Sequence, residues 1–263
     1  MKDCFELRFN LHRCGVKFAD NTKIFAEMFS YEEIYIKDSL KEYGEFLENT
    51  AQDIKNTYQE EVILNLFDGK KILFLGDSMT SDRIGYYNMI KTSVSADCFD
   101  GAVSGAKSVD ILSQIGVSME TFGPGVVSIM IGTNDVQCVD EKQNVPTVSL
   151  QEYEKNLDYM IKFVLAEGAV PIITTIPPIH EKRYKELFGV KKTMSNSLIL
   201  KYNDIIKLLV EKYGVYLNDM TDVYNKYEQD KLFEQDGVHL SAFGQKVLAE
   251  RLLFRLIQIL RAV

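Results

Sequence analysis

From residue 71 onward the chain alternates between short apolar runs and longer segments whose apolar positions recur at helical spacing. The runs are 71–76, 94–99, 125–131, 169–176 and, briefly, 215–217. The helical segments are about 84–92, 108–121, 149–167, 194–213 and 241–261. Ser149 with Glu152 three residues on matches a capping box and marks the start of the third of these helices. The last one carries an apolar stripe at Val247, Leu252, Leu256 and Leu260, with Arg251, Arg255 and Gln258 elsewhere on its circumference. Strict alternation predicts parallel strands joined by right-handed crossovers, hence a three-layer α/β/α sandwich on a doubly wound sheet of about five strands. Nearly continuous apolar strands fit burial on both faces. Ligands bind such sheets at the carboxyl ends of the strands.

Residues 1–69 follow a different pattern. Phe5, Leu7, Phe9 and Leu11 alternate as in a strand, Ala19-Asp20-Asn21-Thr22 reads as a turn, and Ser30 with Glu33 suggests a helix start. The stretch 31–55 is acidic and helical in pattern. The expectation is an N-terminal α+β or helical appendage over 1–69, packed on a main domain at 70–263. A separate recognition module is the alternative.

Charge sharpens this division. The net charge of −8 is concentrated in residues 1–69, where 8 Lys/Arg face 14 Asp/Glu. No basic patch stands out, which argues against a nucleic-acid partner. Cys4, Cys14, Cys98 and Cys138 show no Cys-x-x-Cys spacing and read as reduced thiols. The start, "MKDCFELRFNLHRCG", has charges throughout and no apolar core of a secretory signal. No run approaches the roughly 18 apolar residues of a membrane span. With Met1 as the natural start, a soluble cytoplasmic protein is expected.

The stretch "KKILFLGDSMTSDRIG", residues 70–85, opens as a buried strand and breaks off at Gly76-Asp77-Ser78. A turn needs such residues for ordinary reasons, so the decision rests on the rest of the chain. The histidines are His12, His180 and His239. His239 lies in "EQDGVHLSAFG", three residues after Asp236 and just before the last helix. Asp-x-x-His across a tight turn at Gly237 can place carboxylate and imidazole on the same side, the carboxylate fixing the tautomer. A serine, a histidine and an aspartate at element ends are the parts of an activated nucleophile. Acyl transfer also needs oxyanion donors: Gly105 in "DGAVSGAKS", Asn134 in "MIGTNDVQ", and the N–H of Ser78. Gly105 as a turn glycine and Asn134 as a brace of its own loop are the plainer alternatives. Asp77 and Asp135 read as supports of their loops, His180 as a solvated loop residue that could edge the site, and His12 as structural.

These blocks, Gly76-Asp77-Ser78, Gly105, Gly132-Thr133-Asn134-Asp135 and Asp236-Gly237-Val238-His239, resemble those of the GDSL, or SGNH, hydrolase superfamily in order and context. The resemblance covers roughly 71–263 and extends to "TTIPP" and "KYNDII". It implies a flavodoxin-like fold and an esterase or acylhydrolase activity. In that reading Ser78 is the nucleophile, His239 the base oriented by Asp236, and Ser78, Gly105 and Asn134 the oxyanion hole, with no metal or cofactor required. "MTSDRIG" after Ser78 departs from the family by lacking the close glycine many members carry.

Other classes fit less well. An aspartyl phosphatase needs Asp-x-Asp for magnesium, and Met79 cannot supply a hard oxygen. A nucleotide or flavin binder would use Ser78, Thr80 and Ser81 at a helix N-terminus, but no glycine-rich phosphate loop is present and His239 would go unexplained. The Gly-x-Ser-x-Gly elbow is absent, since position 80 is threonine. With no apolar lid in view, the expected substrate is a short-chain acyl ester of a small molecule or glycan, including O-acetyl groups on carbohydrate. Lysophospholipase or thioesterase activity, or a non-catalytic ligand-binding protein of the same fold, are the alternatives.

Overall fold

The computed structural model describes residues 4–9, 21–139, 145–189 and 193–262. Five parallel strands, β1 (Lys71–Gly76), β2 (Asp97–Asp100), β3 (Val126–Met130), β4 (Val170–Thr174) and β5 (Tyr216–Asn218), form a sheet in the order β2-β1-β3-β4-β5. This is the doubly wound α/β arrangement that the alternation predicts. The strand order reverses between β1 and β3, where Gly76 pairs with Met130. That switch point leaves a crevice beyond the strand ends.

The pleat of β1 separates two apolar layers. Ile72 and Phe74 face α6 (Tyr86–Ser93) and α14 (Ala242–Ala262), while Leu73 and Leu75 face α7 (Ser108–Phe122), α9 (Leu150–Ala166) and α11 (Asn196–Tyr213). Ser149 caps α9 by accepting from the Glu152 amide at 3.2 Å. In α14, Val247, Leu252 and Leu256 are buried and Leu260 packs at the margin of the same layer. Among the described residues, no helix is long and apolar enough to cross a membrane.

Before β1, the described residues form helices: α1 (Phe5–Arg8), α2 (Thr22–Phe29), α3 (Glu33–Tyr58) and α4 (Glu60–Phe67). The strand expected from Phe5, Leu7 and Phe9 is instead a helical turn, and Leu11 lies outside the described residues. The alternation has another cause. Leu7 enters a cluster with Phe25, Ile36, Tyr43 and Ile84, while Phe5 and Phe9 meet each other at 4.7 Å in the direction of the sheet ends. Two apolar partners on different sides mimic a pleat. Ser30 does not start a helix either; it closes α2 in the left-handed conformation, and Glu32 precedes the first turn of α3. The core crosses residues 69–70: Ile54, Ile63 and Phe67 pack with Ile72 and Phe74. His12 and Cys14 lie outside the described residues.

Five one-turn or two-turn helices escape the periodicity reading: α5 (Ser78–Ser81), α8 (Thr133–Val136), α10 (Glu181–Phe188), α12 (Thr221–Tyr224) and α13 (Gln229–Leu232). Two of them, α5 and α8, follow directly on β1 and β3 and carry site residues.

Candidate active site

Strand β1 must end in glycine. A Cβ on Gly76 would stand 2.1 Å from the Thr80 hydroxyl and 2.6 Å from the Met130 carbonyl. Asp77 then caps α5, its Oδ1 accepting from the Met79 amide at 3.0 Å. The chain turns so tightly that Ser78 occupies the first position of the helix at the strand end. The residue is 8 % exposed, and its Oγ lies 2.8 Å from His239 Nε2.

His239 comes from the other end of the chain. Its Nδ1 is 2.5 Å from Asp236 Oδ2, while Asp236 Oδ1 accepts from the amides of Val238 at 2.9 Å and His239 at 3.0 Å. A carboxylate only accepts, so Nδ1 carries the proton and Nε2 is free to accept from the Ser78 hydroxyl. Burial alone would raise the Asp236 carboxyl, but the His239 ring and the two amides hold it below the usual carboxylate range. The turn is made possible by Gly237, whose φ of +75° and contact with the His180 carbonyl leave no room for a side chain.

His180 donates its amide to the Gly237 carbonyl at 2.7 Å. Its ring is engaged elsewhere, with Asp230 Oδ1 at 3.1 Å and the Arg183 amide at 3.4 Å. The expectation of a solvated loop histidine is corrected: it caps α10 and braces the turn that carries Asp236. The signal missed in the sequence is its position directly before Glu181, at the start of a short helix.

Asn134 sits on α8 and donates from Nδ2 to the Ala106 carbonyl at 3.0 Å, one residue past Gly105. Its second N–H is not used in that bond. Gly105 is exposed with a φ of +78°, a conformation natural to glycine. Asp135, fully buried, accepts from the amide of Ser108 at 3.0 Å and from the Ser108 hydroxyl. It thereby ties the start of α7, and the Gly105 turn before it, to the end of β3. Burial pushes both Asp77 and Asp135 up to about 6, against the pull of the Met79 amide on the first and Ser108 on the second.

The sequence reading missed the neighbours of the imidazole. Phe9 lies 4.1 Å from it, ring centre to ring centre, and Phe5 meets it edge-on at 5.2 Å. The available signal was the four-residue spacing of Phe5 and Phe9, which puts both rings on one face of a helical turn.

The sequence model of the GDSL-like lipase/acylhydrolase family matches residues 74–247. Among curated proteins, the chain is 24 % identical to the GDSL esterase/lipase CPRD49 of Arabidopsis thaliana, over 70 % of this chain and 77 % of that protein. It is 28 % identical to a human protein described as isoamyl acetate-hydrolyzing esterase 1 homolog, over 49 % of this chain and 54 % of that one. Among solved structures, a lipase/acylhydrolase from Enterococcus faecalis superposes with a TM-score of 0.58 at 18 % identity, over 72 % of this chain and 96 % of the other. A catalytic mutant of Axe2, an acetylxylan esterase from Geobacillus stearothermophilus, gives 0.55 at 22 % identity, over 72 % and 94 %.

Proposed function

Because the chain belongs to the GDSL-like lipase/acylhydrolase family and is an ester-bond hydrolase, we propose that it cleaves short-chain acyl esters, O-acetyl groups on carbohydrate among them, through Ser78, His239 and Asp236. The observation that carries this reading is the continuous chain of contacts from Ser78 Oγ through the imidazole to Asp236, 2.8 Å and then 2.5 Å. His239 Nε2 takes the hydroxyl proton as Ser78 Oγ attacks the ester carbonyl, and Asp236 stabilises the imidazolium that forms. The tetrahedral oxyanion is held by the amides of Ser78 and Gly105 and by the unused N–H of Asn134. His239 returns the proton to the departing alcohol. Water then attacks the acyl-serine, His239 again accepting and donating the proton, and the acid leaves.

Two likenesses support an acetyl-sized acyl group: the human relative is named as the homolog of an isoamyl acetate-hydrolyzing esterase, and Axe2 as an acetylxylan esterase. The test is a rate series over p-nitrophenyl esters of rising chain length, followed by acetylated sugars, with Ser78→Ala in parallel. Turnover should peak at two to four carbons, roughly, and vanish with the serine hydroxyl. A peak at about eight carbons or more would overturn the short-acyl assignment; full activity in Ser78→Ala would overturn the mechanism.

A further inference from the structure

The segment that precedes the family match is tied to both halves of the Ser78–His239 pair. Arg8 is 4 % exposed. Its Nε and Nη2 donate to Asp82, four residues beyond Ser78, at 3.0 to 3.2 Å. Its Nη1 pairs with Glu234, two residues before Asp236, and Nη2 also donates to the carbonyl of Leu240, one residue after His239, at 2.7 Å. One guanidinium therefore bridges the loop of the nucleophile and the loop of the base. Gln245 reinforces the joint, donating to Asp82 Oδ2 and to the Met79 carbonyl at 3.0 Å each. Burial works against the charge on Arg8, but Asp82 and Glu234 more than offset it and raise its pKa.

Phe9 is fully buried, and its ring lies 4.1 Å from the imidazole at an angle of 37°. The guanidinium carbon of Arg8 is 4.7 Å from the centre of the same ring. Once Ser78 Oγ turns to attack, the imidazole keeps only its bond to Asp236 and can swing about its side-chain torsion, since that torsion is broad. A flat ring packed on it removes the freedom, and the ring's electron-rich face favours a cation beside it.

We propose that residues 4–9 are a working part of the active site, with Arg8 fixing the distance between the two loops and Phe9 acting as a positioning residue for the His239 imidazole. This rests on the hydrolytic role given to Ser78 and His239 above. Neither Arg8 nor Phe9 touches the reacting atoms; each acts through His239. The charged groups around that ring are Asp236 on its own loop, Asp77 and Asp82 from the Ser78 loop, and Arg8 with Glu234 beyond Phe9. Removing the aromatic face takes away a stabiliser of the imidazolium that forms during the reaction.

The experiment uses the full chain with Phe9→Leu, which keeps bulk but loses the ring, and Arg8→Lys, which keeps charge but loses the fork. Small displacements of reacting groups are costly, so kcat on p-nitrophenyl acetate should fall about ten-fold or more in each, with KM within about two-fold. The rate of Ser78 labelling by a fluorophosphonate should fall in step. Proton NMR of the wild type should show the His239 ring protons moved by the Phe9 ring current, and Phe9→Leu should abolish that displacement. Variants that keep kcat and labelling rate while losing only thermal midpoint would overturn the positioning role and leave the hydrolase intact. If Phe9→Leu does not fold, Arg8→Lys and the wild-type spectrum decide, and a wild type without the ring-current displacement overturns the proposal. A wild type that neither labels nor hydrolyses any ester overturns the hydrolytic reading, and the positioning role with it.

Discussion

At the scale of single residues, the arrangement turns on which nitrogen of His239 holds the proton. Asp236 decides it, because a carboxylate 2.5 Å from Nδ1 can only accept. The depressed pKa of Asp236 keeps that group a carboxylate, and so an acceptor for Nδ1, in the neutral range. Asp236→Asn would place an amide where the carboxylate is. Its Oδ1 position is already committed to the amides of Val238 and His239, so the NH₂ group faces Nδ1 and forces the proton onto Nε2. That tautomer cannot accept from Ser78. We expect kcat to fall by about 10³- to 10⁴-fold with little change in KM, read as initial rates on p-nitrophenyl acetate near neutrality. A loss smaller than about ten-fold would mean that the ring keeps its tautomer without the carboxylate.

At the scale of elements, the site is assembled by very short pieces of chain placed at the ends of long ones. The long pieces were legible: five parallel strands and the helices between them follow from apolar runs and helical spacing, because burial on two faces or on one stripe leaves a periodic trace. The meeting of the Gly-Asp-Ser block with the Asp-Gly-Val-His block was legible from their residue types. Helices α5 and α8 were not, since four residues carry no periodicity and their shape is set by Asp77 capping and by Asp135 gripping Ser108. The arm at 4–9 was misread as a strand because its apolar residues serve two different partners. Gly237 illustrates how a turn is fixed from outside. Its Cβ would meet the backbone of His180 at 2.6 Å and of Tyr184 at 2.7 Å, whereas Gly214, with a φ of +62°, has nothing within 4 Å. Ala at position 214 therefore pays only the left-handed backbone penalty, about 1–2 kcal/mol. Gly237→Ala adds a clash that must move the Asp236–His239 turn. Thermal melts and esterase rates on the two variants should separate them: modest destabilisation with normal kcat for Gly214→Ala, and loss of both stability and kcat for Gly237→Ala. Equal behaviour would show that the turn does not depend on its seat against α10.

At the scale of the whole molecule, the buried carboxyls next to Ser78 and Asn134 make stability depend on pH. Asp77 and Asp135 are raised to about 6, against an ordinary value near 3.8. Between about 4 and 6 the folded chain therefore holds more protons than the unfolded chain, and their contribution to stability is lost as pH rises through about 6. Asp236 has the opposite sign: its contribution is present above the unfolded carboxylate value and is lost as pH falls through its depressed folded value. The net charge of −8 also shrinks on mild acidification, which relieves self-repulsion. Stability should consequently be greater near pH 5 than near pH 8. Melting temperatures collected across this interval should fall as the pH rises through about 6. A Tm that rises steadily from pH 5 to 8 would show that Asp77 and Asp135 are ionised without cost in the fold. In that case the hydrogen bonds accepted from the Met79 amide and from Ser108 would offset the burial of the two carboxylates.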